Sequence, residues 1–212
     1  MYICKNVLTK EEVATVRKIL KESEWNKGHT NADETHKKNE ELVLQELSED
    51  IAKRIYAHET VQRYGLFKQL MIPRFNKYNK SGHYARHVDF FKQKGLRTDW
   101  SMTLFLTEPN TYKGGELLIE GVADKTLSYK LPAGDMILYP SGYIHNVTPV
   151  TKGTRLAVIS WAESEVEDLR ERQLIGQVMD VMVELDANRE EHMDKIVKLS
   201  SVHNGLLRKW SK

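Results

Sequence analysis

A mainly β domain, a jelly roll or a barrel with helices at both ends, is the fold predicted for this 212-residue chain. Three observations predict it. The middle of the chain carries many short strand-like runs at close, regular spacing, broken by Gly, Pro, Asn and Asp. Both ends carry apolar residues at helical spacing instead. Nothing between them alternates strands with long helices, as a parallel βαβ sheet would.

The N-terminal helix is announced by the capping box Thr9-Lys10-Glu11-Glu12, followed by Val13, Val16, Ile19 and Leu20 at helical spacing. Residues 28–39 are polar and rich in Asn, Thr, Lys and His, and read as a loop. A second helix is expected over 40–64, with Leu42, Leu44, Leu47, Ile51 and Ile55 on one side. From Phe67 the pattern changes to strands, at Leu70-Met71-Ile72, 100–106, 116–119, 126–131, 135–139, 145–150 and 155–161. Turn residues separate them at 79–82, Gly114-Gly115, 132–135, 140–142 and Lys152-Gly153. After Trp161 a second capping box, Ser164-Glu165-Val166-Glu167, introduces Val166, Leu169, Leu174 and Val178, and two short helices are expected at 189–199 and 202–210. One structural domain results, with an N-terminal helical support (1–66), a β core (67–162) and a C-terminal helical extension (163–212).

Composition excludes several classes. At 40% hydrophobic and 29% charged residues the chain is an ordinary globular protein. No apolar run approaches the roughly 20 residues of a membrane helix, and residues 1–18 lack the uncharged apolar stretch of a signal peptide. Cys4 is the single cysteine, so an internal disulfide or Cys-rich zinc site is excluded and a reducing, cytoplasmic setting is expected. The net charge of +2 does not argue for nucleic acid. It is unevenly placed, however. Residues 63–97 hold nine Lys/Arg against Asp89, whereas 163–194 hold eleven acidic residues against three arginines. Either these are solvated faces of opposite sign, or the basic segment, Lys92 and Lys94 included, rims a pocket for an anion.

Histidine carries the candidate chemistry. His29, His36, His58, His83, His192 and His203 sit in polar loop, helix-end or acidic helical contexts and are assigned no role. His87-Val88-Asp89 differs: on a strand, residues i and i+2 share a face, so an imidazole and a carboxylate are presented together. His145, opening a later strand after a Pro-Ser-Gly turn, can supply a third ligand. Two His and one carboxylate form the facial triad of non-haem Fe(II) oxygenases, which leaves positions open for co-substrate and oxygen. Arg155 follows across Thr151-Lys152-Gly153, which suits a three-residue hairpin loop. Pro149 would then oppose Arg155, placing it on the side of His145. Its planar fork would suit the distal carboxylate of a dicarboxylate that chelates the metal at its other end. The alternative is a surface hairpin arginine. Gly114-Gly115 reads as a turn into a strand, with no phosphate-loop lysine after it. Trp100, Phe105, Tyr139 and Trp161 read as core or pocket walls; Tyr84 and Arg97 could line a substrate mouth or be structural.

A longer series carries a resemblance: Phe75-Asn76-Lys77-Tyr78, Tyr84-Ala85-Arg86-His87-Val88-Asp89, Arg97-Thr98-Asp99-Trp100-Ser101, Gly114-Gly115-Glu116-Leu117, Lys130-Leu131-Pro132-Ala133-Gly134-Asp135, Leu138-Tyr139-Pro140-Ser141, His145 and Val147 through Arg155. With His203-Asn204-Gly205-Leu206-Leu207-Arg208-Lys209-Trp210 at the end, it resembles the PKHD-type hydroxylases, relatives of the prolyl 4-hydroxylases within the Fe(II)/2-oxoglutarate dioxygenases. The resemblance implies a double-stranded β-helix (jelly-roll) core, with His87, Asp89 and His145 on Fe(II), Arg155 on 2-oxoglutarate and Tyr78 beside the co-substrate. It further implies O2 as reactant, ascorbate as an additional small molecule, succinate and CO2 as co-products, and hydroxylation of a peptidyl, notably prolyl, substrate. A free amino acid substrate and a non-catalytic metal-binding jelly roll are the alternatives. No membrane partner and no basic, aromatic-rich nucleic-acid motif is present. Many prolyl hydroxylases have a tyrosine where this chain has Phe105, so Tyr78, Thr103 or water is left to accompany Arg155.

Overall fold

The computed structural model describes residues 1–28, 34–121 and 125–212; His29 and part of the expected 28–39 loop lie outside the described residues. In chain order the elements begin with β1 (Tyr2–Cys4), α1 (Lys10–Glu22), β2 (Asn26–Lys27), β3 (Lys37–Lys38), β4 (Glu40–Leu42) and α2 (Gln45–Ala57). Next come β5 (Phe67–Leu70), β6 (Arg74–Tyr78), β7 (His83–His87), β8 (Lys92–Gln93), β9 (Leu96–Arg97) and β10 (Trp100–Phe105). The chain finishes with β11 (Leu117–Glu120), β12 (Thr126–Tyr129), β13 (Met136–Pro140), β14 (His145–Val147), β15 (Arg155–Ser164), α3 (Leu169–Asp186) and α4 (Arg189–Trp210).

Two sheets form. The major one runs β1-β13-β10-β15-β6-β4-β2, with β5 also paired to β15; the minor one runs β12-β11-β14-β7-β3. Every pairing in them is antiparallel. Period-two alternation gives the major sheet two different faces. Trp100, Met102 and Leu104 of β10, Met136 and Leu138 of β13, and Val158 and Ala162 of β15 join a core shared with Val13, Val16 and Leu20 of α1 and Ile51 and Ile55 of α2. The intervening residues Phe105, Ile137 and Tyr139 turn the other way, onto Leu117, Ile119 and Val147 of the minor sheet. The mainly β architecture with helices at both ends therefore holds, and the helices brace the outer face of one sheet.

Helix α1 starts as expected, since Thr9 and Glu12 form the reciprocal capping box. Elsewhere the structure departs from the expectation. The helix expected over 40–64 is interrupted: Glu40–Leu42 pairs with β6, α2 follows Leu44, and a π-helical turn covers Val61–Gly65. A neighbouring strand edge thus overrides helical spacing. β1, β2 and β3 are too short to show any period. Ser164 caps no helix; it is buried at the end of β15, where its hydroxyl donates to the Gly65 carbonyl, and Asp168 caps α3. Nothing breaks the chain between 199 and 202, so the two short C-terminal helices are one, α4. The opposite charge blocks partly serve this packing: Arg63 pairs with Asp180 at 2.7 Å and Lys68 with Glu163 at 3.7 Å. Among the described residues no helix is long and apolar enough to cross a membrane.

The turn before β13 ties the N-terminal segment to the sheet. Gly134 has φ +99° and bonds both Leu8 and Phe105 through its backbone. A Cβ there would lie 2.3 Å from the Leu8 carbonyl oxygen. Gly134→Ala is expected to lower stability by about 1–3 kcal/mol, read from the urea unfolding midpoint. An unchanged midpoint would contradict this account of the turn.

Candidate metal centre and anion pocket

Strands β7 and β14 pair so that His87 and His145 are cross-strand partners. Their ring centroids are 4.2 Å apart. Asp89 lies just past the end of β7. Its carboxylate reaches to 4.0 Å from His87 Nε2 and 3.6 Å from His145 Nε2. The three groups offer ligand atoms all within 4.8 Å of one another, in a largely buried position. The sequence-predicted triad is thus brought together.

The surrounding bonds set which atoms face inward. His87 Nδ1 donates to the Ala85 carbonyl at 2.8 Å, and His145 Nδ1 donates to the Tyr143 carbonyl at 2.9 Å. A ring nitrogen held as a donor leaves Nε2 with its lone pair, aimed at the centre of the cluster, which is the usual arrangement behind a metal-binding histidine. Ser101 Oγ donates to Asp89 Oδ2 at 2.6 Å and is itself hydrogen-bonded to Ser141 Oγ at 2.8 Å, fixing the carboxylate. Burial, then the charge of His145, holds the His87 pKa down at about 4. A neutral imidazole with a free lone pair is the form that binds a metal. Two imidazoles and one carboxylate on one side of a site fit a divalent ion with further positions open.

A β-bulge adjusts this wall. Between the pairs His145–His87 and Val147–Tyr84, β7 carries one residue more than β14. In a regular strand Tyr84 and His87, three residues apart, would face opposite sides. With the bulge they stack, centroids 3.6 Å apart and planes 18° from parallel. The Lys37 ammonium sits over the other residue of that stack, 4.6 Å from the Tyr84 ring centre.

Arg155 is 1% exposed. Its guanidinium lies 5.2 Å from the Tyr78 ring centre and 5.3 Å from that of Phe105. Arg155 and Tyr78 are cross-strand partners on β15 and β6. Among the described residues no carboxylate pairs with Arg155, and its Nε is buried without a hydrogen-bond partner. A buried cation without an anion is costly, so this pocket fits a ligand carboxylate. Tyr139 connects the two centres. Its ring is 5.2 Å from His145. Burial pushes its phenol well up, with Asp89 raising and Arg155 lowering it. Burial likewise raises Tyr78 and Tyr112, and Arg155 opposes both shifts.

The expected hairpin before Arg155 does not form. β14 belongs to the minor sheet and β15 to the major one, and the link between them crosses over, bridging Lys152 to Lys113 on the way. Arg155 does face the inter-sheet space, but through its register with Tyr78, not with Pro149. Arg97 is structural: its guanidinium binds Asp99 and the Ser164 carbonyl. Trp100 is core, donating to the Gly65 carbonyl.

An open cleft of about 1220 Å³ reaches His87 and Asp89. Tyr84, Phe90 and Trp161 line it near the triad, whereas Trp25, Lys38 and Lys80 lie along its length. The expected basic rim is placed elsewhere than at Lys92 and Lys94, which do not line this cleft; its cations come from 27–38 and 74–80. Sequence reasoning missed the N-terminal wall. Lys37 is buried against Glu41 at 2.6 Å, with Arg74 3.6 Å from the same carboxylate. The only signal was the charge run Lys37-Lys38-Asn39-Glu40-Glu41, which reads as solvent-facing.

Known proteins resemble this chain in sequence and in fold. The family profile described as the 2OG-Fe(II) oxygenase superfamily matches residues 73–163. A PKHD-type hydroxylase of Acinetobacter baumannii (strain SDF) is 35% identical over 223 residues, covering 97% of this chain and 96% of its own length. A prolyl-4-hydroxylase of Pseudomonas putida has a similar fold, with a TM-score of 0.57 at 19% identity over 77% of this chain and 91% of that one. So does a Trichoplax adhaerens prolyl hydroxylase in complex with a hypoxia inducible factor oxygen degradation domain peptide fragment, with a TM-score of 0.57 at 16% identity over 82% and 86%.

Two outcomes follow from the site. Because the His87 pKa is depressed from 6.5 to about 4, the unfolded chain takes up a proton there before the folded chain does. Its contribution to stability is complete above about 6.5 and is lost as pH falls toward 4. In metal-free protein the melting temperature should therefore drop across that range more in the wild type than in His87→Asn; equal drops would contradict the assignment. Arg155→Ala should weaken 2-oxoglutarate binding by roughly 2–5 kcal/mol and leave metal affinity nearly unchanged. Titration calorimetry on metal-loaded protein decides it, and an unchanged dissociation constant would place the co-substrate elsewhere.

Proposed function

The chain belongs to the PKHD-type hydroxylases of the 2OG-Fe(II) oxygenase superfamily, and on that premise we propose that it hydroxylates a C–H bond of a peptidyl residue, with proline the first to test. Fe(II) and 2-oxoglutarate are the cofactor and co-substrate of this superfamily. When bound they supply the oxidising power: O2 is consumed, 2-oxoglutarate leaves as succinate and CO2, and one oxygen atom enters the substrate bond. In this reading His87, Asp89 and His145 are the metal ligands, Arg155 holds the distal carboxylate of 2-oxoglutarate, and Tyr78 packs beside it.

The chain's own residues do the orienting. Ala85 and Tyr143 carbonyls fix the tautomers of the two histidines, and Ser101 fixes Asp89. Phe105 offers no hydroxyl to the distal carboxylate that Arg155 holds; beside Arg155 the buried phenol of Tyr112 can supply one, and Tyr78 contributes its ring face at 5.2 Å. Apolar walls around the guanidinium exclude water and strengthen that pairing.

The observation that carries the peptidyl reading is the size and opening of the cleft. Small-molecule pockets occupy about 300–1,000 Å³; this cleft is larger, about 1220 Å³, and opens to solvent. It continues from the triad past Tyr84 and Trp161 to Trp25 and Lys80, more room than a free amino acid fills. The solved neighbour that holds a peptide fragment supports the same reading. Tyr84, stacked on His87 with Lys37 over its ring, and Trp161, with Arg74 over its ring, form rigid aromatic walls of the cleft on this side.

The test is mass spectrometry of proline-containing peptides incubated with the protein, Fe(II), 2-oxoglutarate, ascorbate and air. A peptide product heavier by one oxygen, with matching succinate, is the expected result. Slow succinate release without peptide would already separate an oxygenase from a metal-binding jelly roll. Stimulation by a free amino acid and by none of the peptides would overturn the peptidyl reading.

A further inference from the structure

The cleft is lined by six cationic side chains and three carboxylates, one of which is Asp89 of the triad. Most of the cations are already paired. Lys27 meets Glu34 at 2.5 Å, Lys37 and Arg74 share Glu41, and Lys77 meets Glu40. These pairs build the wall and leave little charge for a ligand. Lys38 and Lys80 differ. Both are exposed, and among the described residues neither makes a direct ion pair, Lys38 feeling Glu34 only at longer range. Lys38 Nζ donates only to Ser81 Oγ, at 2.9 Å, which sets it beside the turn that carries Lys80.

Their distance from the metal centre follows from strand register. Lys38 is the cross-strand partner of His83 on β7. His83 precedes His87 by four residues, which is about 13 Å of strand. An extended peptide advances about 3.3–3.6 Å per residue. A peptide lying along the cleft with one residue at the triad therefore passes Lys38 and Lys80 three to five residues further on.

We propose that this cleft selects a peptide carrying an Asp or Glu three to five residues to one side of the hydroxylated residue, held by Lys38 and Lys80. The proposal rests on the peptidyl reading above and adds its specificity. A carboxylate side chain matches two exposed ammonium groups that make no direct ion pair. A nucleic acid fits less well. Its affinity comes from many phosphate contacts, whereas among the described residues only two cations of the cleft lack a direct ion pair, and Glu34 and Glu40 lie in the same wall. A basic peptide would instead meet like charge at Lys38 and Lys80.

The experiment uses the full chain loaded with Mn(II) and 2-oxoglutarate, without turnover. A peptide library with a fixed central proline and randomised flanks is passed over it, and the retained peptides are sequenced. Enrichment of Asp and Glu at three to five positions from the proline is expected. Replacing that acid by Gln in one retained peptide should weaken binding about three- to tenfold, as exposed ion pairs allow, and less at high salt. The double variant Lys38→Glu, Lys80→Glu should turn the preference toward Lys and Arg at the same positions. A reversed preference cannot arise from misfolding. Retention of peptides with no acidic preference, or a preference unaltered in the double variant, overturns the proposal and leaves the peptidyl reading intact. Retention of no peptide, with 2-oxoglutarate still bound, overturns both. Retention of oligonucleotides in place of peptides also overturns it.

Discussion

A β-strand has two faces, and the site exists because β10, β13 and β15 give theirs to different tasks. On one face Trp100, Met102, Leu104, Met136, Leu138 and Val158 sit in a core closed by α1 and α2. That burial fixes the register of the central strands, since a slip of one residue would turn the apolar set outward. The other face is then determined. Ser101 reaches Asp89, Tyr139 reaches His145, and Arg155 stands between Tyr78 and Phe105. Stability is supplied on one side of the sheet and chemistry on the other, so the polar groups of the site need not hold the fold together.

Those polar groups are placed at some cost. A buried guanidinium without an anion and three ligand groups crowded within 4.8 Å are both incomplete arrangements. Under the proposed function each would be completed by something of opposite character, a carboxylate for Arg155 and a divalent cation for the triad. A single molecule with a carboxylate at one end and a chelating group at the other satisfies both, and 2-oxoglutarate is such a molecule. Tyr139 stands where it senses both centres, its phenol shifted in opposite directions by Asp89 and Arg155. Arg155, Phe105 and Tyr139 are all buried, and low solvent access strengthens charge interactions among them.

The chemistry was more legible in the sequence than the geometry behind it. His87, Asp89, His145 and Arg155 are visible as residue types at particular spacings; the first three converge and Arg155 is buried between the sheets. Asp89 converges from beyond the end of β7, and Arg155 comes from a strand of the other sheet, so the local arguments that placed them were incomplete. The bulge that lets Tyr84 stack on His87 leaves no mark on the sequence. Neither does the wall formed by Trp25, Lys37, Glu41 and Arg74, because strands of two or three residues such as β2, β3 and β4 have no period to read. Pairing with a distant strand decides such segments, and one-dimensional patterns do not contain it. Helix α4 shows the same limit in reverse: one continuous helix stands where two short ones were expected.

The central claim is that the three converging side chains form one divalent-metal site on which co-substrate binding depends. Anaerobic titration calorimetry of the full chain with Fe(II) tests it most directly, in the wild type and in His87→Ala, Asp89→Ala and His145→Ala. The account predicts one ion per wild-type chain, loss of that site in each variant with the far-ultraviolet circular dichroism unchanged, and 2-oxoglutarate binding only to chains that hold the metal. Equal metal uptake by the wild type and the three variants would contradict it.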